Sequence, residues 1–303
     1  MGQRRAPHVA WAPVGLLDNV RTSCAEIAAN ARWVRIDLDR LGAVGETPPP
    51  ELDPDRHYLE GGREDVAAYM LTLDSINFGS GWFPTLRKRP SCSGYFTVAW
   101  SLADRWRERG PWSPPELRHL DAAAVAAVLG QDPAHELMAL YAQALRDLGL
   151  FLEDRTALDV VAEAGGSAER LAESLAAGMP FFDDQGFWKR AQITPSDLAL
   201  AGVAEFDDLD RLTIFADNLV PHVLRVDGVL RYDERLAARI DAGELLPPGE
   251  EEREIRGCAL HACELIAERT GTPPRVLDMW LWNRGQAARY KAIPRHRTRT
   301  VFY

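Results

Sequence analysis

Leu212-Thr-Ile-Phe-Ala-Asp-Asn-Leu-Val-Pro-His-Val-Leu224 is an apolar, helix-like run with one acidic residue, Asp217, near its centre. A carboxylate in such a run is costly unless it caps a helix, pairs with a cation or takes part in chemistry. Pro221 fits the first turn of a helix but not its interior. The run therefore predicts one helix that ends near Ala216 and a second helix capped by Asp217. Asp217 is then either a cap alone or a cap with a function.

Helical patterning continues on both sides of this run and predicts a mainly α-helical fold with a small β element at most. Pro195-Ser-Asp-Leu198 is typical of a cap before a short helix, and Asp207 or Asp208 caps the helix that runs to Ala216. Gly149 is placed to end a helix. Weak strand patterning occurs in residues 85–96 and 298–303. The predicted helices cover residues 16–41, 64–78, 96–108, 115–130, 133–148, 168–178, 198–203, 207–216, 250–269 and 276–289.

The domain organisation follows from length and composition. The chain has 303 residues, of which 46% are hydrophobic and 26% charged. This suits a single helical domain over residues 15–303, or two closely packed helical lobes, after a loose N-terminal arm at residues 1–14.

The net charge of −10 argues against binding to duplex nucleic acid, which usually requires a basic surface. The richest basic cluster, Arg295 to Arg299, is short. A mononucleotide or a cationic small molecule fits this charge better, and no obligate protein partner is evident.

The four cysteines are scattered without a CxxC pair, and no HExxH, GxGxxG or GxxxxGK[ST] motif occurs. We therefore expect no metal and no cofactor. The sequence contains no secretory signal and no stretch of about 18 apolar residues, so we expect a cytoplasmic protein that does not span a membrane.

Several blocks of the sequence together carry a family resemblance. Besides the opening run they are Phe187-Trp-Lys-Arg-Ala-Gln-Ile193, Glu254-Ile-Arg-Gly-Cys258 and His296-Arg-Thr-Arg-Thr-Val-Phe-Tyr303, with weaker matches at residues 73–78, 93–95 and 277–283. The chain from about residue 20 onward resembles the queuosine salvage protein family, whose members are queuosine 5'-phosphate N-glycosylase/hydrolases. The resemblance implies hydrolysis of queuosine 5'-phosphate to queuine and ribose 5-phosphate.

Lys189 and Asp217 are the candidate catalytic residues. Cleavage of an N-glycosidic bond builds positive charge on the sugar carbon, which a carboxylate on the ring face stabilises or attacks. Backbone amides at a helix start favour the ionised form of such a carboxylate. Lys189 either binds phosphate or positions Asp217, and the alternative is a solvated surface amine. The order of a lysine followed by a helix-capping aspartate is distantly similar to that in helix-hairpin-helix DNA glycosylases.

Asp74 and Asn77 lie three residues apart on one predicted helical face, and Phe78 and Trp82 follow them. A carboxylate and an amide beside aromatic rings suit a nucleobase, whose edge donates and accepts hydrogen bonds and whose face stacks. The alternative is a helix end packed against core aromatic residues.

Asp278 and Trp282 form a second candidate pair, four residues apart, although Asp278 is also placed to cap its own helix. His57 and Phe215 are weaker candidates for the substrate pocket. Queuine carries a secondary ammonium group, so Asp74 or Asp278 is expected to pair with it.

Trp188 and Arg190 flank Lys189, and Trp188 is a further candidate for the substrate pocket. We expect the phosphate to be bound by Lys189 and Arg190 or by the arginines near residue 297. Two rival functions remain at this stage: a non-catalytic binder of queuosine or other modified nucleotides, and a DNA base-excision glycosylase.

Overall fold

Helices dominate the computed structural model, which describes residues 15–43 and 50–303. This confirms the prediction of a mainly α-helical fold; the predicted arm at residues 1–14 lies outside the described residues. The α-helices are α1 Leu16–Ala29, α2 Arg63–Ser75, α3 Gly94–Arg109, α4 Pro114–Arg118, α5 Ala122–Leu129, α6 Glu136–Leu152, α7 Ala157–Glu163, α8 Ala168–Gly178, α9 Lys189–Leu200, α10 Val220–Val226, α11 Glu234–Asp241, α12 Glu250–Thr270, α13 Pro274–Arg284 and α14 Ala288–Lys291.

A two-stranded antiparallel sheet joins distant parts of the chain. Strand β1, Val34–Ile36, pairs with β2, Leu230–Tyr232. The helix predicted for residues 16–41 ends at Ala29 because the backbone after it is bound elsewhere: Glu254 Oε1 accepts hydrogen bonds from the N–H groups of residues 33 and 34 at 2.5 and 2.6 Å. The strands predicted in residues 85–96 and 298–303 do not form, so that prediction is wrong.

Gly149 does not end a helix, because α6 continues to Leu152. A Cβ atom at Gly149 would lie 2.8 Å from both the carbonyl oxygen of Pro114 and Cβ of Leu117. The glycine therefore allows α4 to pack closely on α6. The predicted helix over residues 115–130 is likewise two helices, α4 and α5.

Helix α9 contradicts the prediction that Pro195-Ser-Asp starts a new helix. It runs from Lys189 to Leu200 with Pro195 inside it. Packing of α9 against α2 and α8 overrides the cost of a proline in a helix interior. As a result, Asp197 lies on a buried helical face instead of capping a helix.

The run from Leu212 to Ala216 has no regular secondary structure, so the helix predicted there is wrong. Only a short 3₁₀ turn, Leu209–Arg211, precedes it. Side chains from three helices bind its backbone: Gln192 accepts from the N–H of residue 213 at 2.9 Å, Asp278 accepts from that of residue 215 at 2.8 Å, and Arg256 donates to the carbonyl of residue 216 at 2.8 Å. These contacts replace the hydrogen bonds of a helix.

Asp208 caps α8 rather than the helix predicted for residues 207–216, since its Oδ1 atom accepts from the N–H of Ala168 at 2.6 Å. None of the helices in residues 15–43 and 50–303 combines the length and apolar character that a membrane crossing requires.

Candidate active site

A cavity of about 1030 Å³ opens among α3, α9, α10, α13 and the segments that follow α2 and α14. The predicted site residues that line it are His57, Asn77, Phe78, Lys189, Phe215, Asp217, Asp278 and Trp282. The remaining predicted residues, Asp74, Trp82, Trp188 and Arg190, are not part of its lining. The structure therefore brings both candidate catalytic residues to one site.

Asp217 binds the start of a helix and lines the cavity, although the N-cap position of that helix is Leu219 and not Asp217 as predicted. Its Oδ1 atom accepts hydrogen bonds from the N–H groups of Leu219 at 2.7 Å and Val220 at 3.1 Å, where α10 begins. Its Oδ2 atom has no hydrogen-bond partner among the described residues. The two roles left open by the sequence are thus compatible, because one oxygen is used for capping and the other is free.

Lys189 begins α9 and is only 5% exposed, which excludes the solvated surface amine. Its Nζ atom donates to the carbonyl oxygen of Asn77 at 3.2 Å. Burial lowers the pKa of Lys189, while the negative charges of Asp217 and Asp74 act to raise it. The charges of several carboxylates thus act on Lys189, which has no ion pair within 4.0 Å in the described part of the chain.

Asp278 lies within α13 and does not cap it, so the capping alternative is wrong. Its Oδ1 atom accepts from the N–H of Phe215 at 2.8 Å. Burial, with the nearby charge of Asp217, raises the pKa of Asp278 to about 7; the Phe215 N–H and Lys189 oppose this rise.

Asp74 lies behind the cavity wall and is fully buried. Neither of its carboxylate oxygens forms a hydrogen bond of regular geometry. Burial raises the pKa of Asp74 to about 7, against the opposing effects of Lys189 and of the Thr194 and Asn77 side chains. Its position near Lys189 gives it electrostatic influence on the site without contact with the cavity.

Asp197 lines the cavity and was missed from the sequence, where Pro195 suggested a helix cap. It is 3% exposed, and its carboxyl group forms no hydrogen bond or ion pair with any described residue. Burial and the neighbouring Asp74 carboxyl raise the pKa of Asp197 well above its ordinary value. A helical register that continues through Pro195 would have placed Asp197 on the same face as Lys189.

An aromatic wall forms another side of the cavity. Trp282 packs edge-on against Tyr95 and Phe96, with ring centroids 5.6 Å apart in each pair. His57 Nε2 lies 3.0 Å from the Tyr95 hydroxyl group, and its Nδ1 lies 2.8 Å from the carbonyl oxygen of Asp53. Burial lowers the pKa of His57 and favours its neutral form. These rings provide an apolar surface suited to a nucleobase.

Arg190, Trp82 and Trp188 have structural roles outside the cavity. Arg190 is fully buried and donates to the carbonyl oxygens of residues 75 and 301, both at 2.7 Å, and of residue 181. Trp82 donates to Glu136 at 2.7 Å. Trp188 adopts a left-handed backbone conformation, φ 45°, directly before α9. Arg190 therefore ties chain segments together and is not free to bind a phosphate.

Arg295 is the cation that best replaces Arg190 as an anion ligand. It lines the cavity and has no hydrogen bond or ion pair with any residue in the described ranges. Burial lowers the pKa of Arg295, and the charge of Asp217 acts to raise it, so the two side chains are neighbours. By contrast, Arg297 donates to the carbonyl of Gly243 at 2.7 Å, and Arg56 pairs with Asp53 at 3.3 Å.

A buried ion pair holds the two candidate catalytic segments in place. Arg256 binds Asp184 through two hydrogen bonds of 2.5 and 3.1 Å. Asp184 also accepts from the backbone N–H of Lys189 at 3.3 Å, and Arg256 donates to the carbonyl of Ala216, directly before Asp217. The start of α9 and the start of α10 are thus connected through one pair of charges.

Within residues 15–43 and 50–303, no group of three or more His, Cys, Asp or Glu side chains is arranged to hold a metal ion. The expectation that the protein needs no metal stays a prediction.

Relatives of known name match this chain along nearly its whole length. A relative in Sphaerobacter thermophilus is 33% identical over 94% of this chain and 97% of its own length, and one in Mus musculus is 27% identical over 93% and 98%. A relative in Schizosaccharomyces pombe is 25% identical over 94% and 96%. All three are named queuosine 5'-phosphate N-glycosylase/hydrolase.

The family model described as queuosine salvage protein matches residues 57–303. This range includes the cavity residues Lys189, Asp217 and Asp278. The chain therefore belongs to the queuosine salvage protein family.

Proposed function

We propose that this protein hydrolyses the N-glycosidic bond of queuosine 5'-phosphate and releases queuine and ribose 5-phosphate. The observation that carries this proposal is the free carboxylate oxygen of Asp217 in a cavity shared with Lys189. Relatives along nearly the whole chain bear the name of this activity. The cavity of about 1030 Å³ is at the upper end of small-molecule pockets, which suits a nucleotide with a side arm.

Asp217 acts on the sugar. As the bond between C1' and the base breaks, the sugar becomes positively charged, and a fixed carboxylate stabilises that charge or attacks C1'. The two backbone N–H groups on Oδ1 hold the carboxylate in position at no cost in reorganisation. Water then adds to C1'. Lys189 balances the charges of the neighbouring carboxylates and keeps Asp217 oriented.

The base is placed against the aromatic wall, and its ammonium arm pairs with Asp278. Asp278 lines the cavity, whereas Asp74, the other residue considered from the sequence, does not. Burial raises the pKa of Asp278 in the free protein. A cationic ligand stabilises the ionised form of a buried carboxyl group, so binding of the ammonium arm should lower this pKa again.

The 5'-phosphate is bound by Arg295, with Lys189 as a second cation. A guanidinium group without a partner in a cavity is suited to a phosphate, which accepts two parallel hydrogen bonds. Arg295 neighbours Asp217, so a phosphate there is close to a sugar whose C1' faces Asp217.

One experiment tests the reaction and its recognition together. The protein is incubated with queuosine 5'-phosphate, queuosine, guanosine 5'-phosphate and 7-deazaguanosine 5'-phosphate, and released base is measured. We expect fastest release from queuosine 5'-phosphate. Equal rates with and without the ammonium arm would remove Asp278 from that contact, and no release from any compound would refute the proposed reaction.

A non-catalytic binder of modified nucleotides would bind these compounds and release nothing. A DNA base-excision glycosylase would act on damaged duplex DNA, for which the net charge of −10 is unfavourable. A cytoplasmic location and the absence of a cofactor and an obligate protein partner stay predictions.

A further inference from the structure

We propose that Asp197 is a second catalytic residue of the proposed hydrolysis, on which this inference rests, and that it donates its proton to the departing base. Asp217 acts on the sugar side of the breaking bond, and Asp197 acts on the base side.

The position of Asp197 is the first support. It lies eight residues after Lys189 on α9, about two turns away and on the same helical face. It lines the cavity, is 97% buried, and its carboxyl group has no partner among the described residues. A buried polar group without a partner is costly, and a ligand in the cavity would supply that partner.

The charges around Asp197 are the second support. Besides burial, the pKa of Asp197 is affected by the charges of Asp74 of α2, Lys189 of its own helix and Asp278 of α13. Asp197 in turn affects the pKa values of Tyr69 of α2 and Tyr95 of α3. Three buried carboxyl groups thus surround one ammonium group. Because they cannot all be ionised at low cost, at least one holds a proton. Burial and the neighbouring Asp74 carboxyl raise the pKa of Asp197 well above its ordinary value, which favours the protonated form of this residue.

A protonated carboxyl group at this place meets a need of the proposed substrate. Its base is a 7-deazapurine, which lacks the ring nitrogen that is protonated in other purine glycosidic cleavages. When the bond from C1' breaks, its electron pair goes to the base, and the Asp197 proton moves to a heteroatom acceptor of that base. Water adds to C1' and releases one proton to Asp217 or solvent. Asp197 then regains a proton from solvent, so the net reaction consumes one water.

Asp197→Asn tests the assignment, because an amide is close in shape to the neutral acid but transfers no proton. We expect turnover of queuosine 5'-phosphate to fall by about 10²- to 10⁴-fold with little change in binding. With 4-nitrophenyl β-ribofuranoside 5-phosphate, whose leaving group needs no proton, we expect the variant to be nearly as active as the wild type. Equal losses on both substrates would overturn the proposal.

The pH profile gives a second readout, with Asp74→Asn as the matched control. The wild-type rate should fall as pH rises through the pKa of Asp197, since the acid form is lost, and this alkaline limb should be absent in Asp197→Asn. Asp74 lies behind the wall and raises the pKa of Asp197. Asp74→Asn should therefore move the limb to lower pH and keep the wild-type dependence on leaving group. A limb that persists in Asp197→Asn would overturn the proposal.

Failure of this inference is distinguishable from failure of the proposed function. If the wild type releases no queuine from queuosine 5'-phosphate, the proposed reaction is wrong. If it does, and Asp197→Asn is as fast, only the inference is wrong. Weaker binding of queuosine 5'-phosphate but not of 7-deazaguanosine 5'-phosphate by the variant would make Asp197 the partner of the ammonium arm, which would also overturn its role as an acid.

Discussion

Two groups of buried charges lie side by side in this protein and differ in whether they are satisfied. In the paired cluster, Arg256 binds Asp184 at 2.5 Å and Glu252 at 3.5 Å. In the unpaired cluster, which comprises Asp74, Asp197, Asp278 and Lys189, no ion pair is as short as 4.0 Å within the described residues, and burial raises the pKa of Asp74 and Asp278 to about 7.

The difference indicates different roles. Burial of a charge costs several kcal/mol, which a well-formed pair with further hydrogen bonds offsets. The paired cluster meets this condition and connects the segments that carry Lys189 and Asp217. The unpaired cluster does not, and groups with perturbed pKa values in a cavity are typical of functional sites. We therefore expect mutations in the paired cluster to affect stability first, and those in or beside the unpaired cluster to affect activity first.

Asp217, which neighbours Lys189 and Asp278, should show the largest effect on activity. Asp217→Asn keeps a helix cap, because asparagine is also a good N-cap, but it removes the negative charge that faces the sugar. We expect single-turnover base release to fall by about 10³-fold or more, while the melting temperature and ligand binding stay close to wild type. Near-normal release from a stable variant would remove Asp217 from the mechanism and leave it as a cap alone.

Asp184→Asn should have the largest effect on stability, because it leaves the buried Arg256 guanidinium without its main partner. We expect the free energy of unfolding to fall by about 3–5 kcal/mol, measured by urea denaturation. Glu252→Gln, at the longer contact to Arg256, is the control and should cost less. Wild-type stability of Asp184→Asn would mean that the paired cluster is not structural.

Asp74→Asn should increase stability, whereas the same type of substitution at Asp184 should decrease it. The pKa of Asp74 is about 7 in the folded protein against an ordinary 3.8, so the folded state binds a proton that the unfolded state lacks between these values. The ionisation of Asp74 therefore lowers the free energy of unfolding as pH rises from about 4 to 7. Asp74→Asn has no carboxyl group to ionise at this position. Its free energy of unfolding should therefore exceed that of the wild type by about 1–3 kcal/mol at pH 8 and by little at pH 4. A destabilised variant at pH 8 would contradict the comparison.

The two cavity cations Lys189 and Arg295 should differ in substrate dependence. Arg295→Gln should lower kcat/KM for queuosine 5'-phosphate by about tenfold or more and leave queuosine nearly unaffected, since a hydrogen bond to a charged group contributes about 1.5–3 kcal/mol. Lys189→Ala tests whether this residue also binds phosphate. If this substitution lowers kcat/KM equally for queuosine 5'-phosphate and for queuosine, Lys189 acts through Asp217 instead.

Removal of divalent metals should have the smallest effect. The cavity-lining members of the unpaired cluster, Asp197, Asp278 and Lys189, are predicted to meet the substrate directly, so activity should be unchanged after dialysis against a strong chelator. Activity that is lost on dialysis and restored by one divalent metal would show that these carboxylates serve as ligands instead.

Local sequence was most informative where neighbouring residues decide the structure. The helices α3, α8 and α12 begin and end within a residue or two of their predicted bounds, because amphipathic spacing and end signals are local. The contact of Asp217 with the start of α10 was also predictable, although the N-cap position is Leu219, since a carboxylate just before a helix accepts hydrogen bonds from its first N–H groups.

The sequence by itself determined the mainly helical fold, the family and the choice of Asp217 and Lys189 as candidates for one site, through local patterning and blocks of resemblance along the chain. Tertiary structure alone decided that residues 212–216 form no helix, because Gln192, Asp278 and Arg256 reach their backbone from distant helices. It also separated Arg190 and Asp74 from the cavity and brought Asp197 to it. Burial and charge proximity depend on contacts between residues far apart in the chain, and local spacing does not encode them.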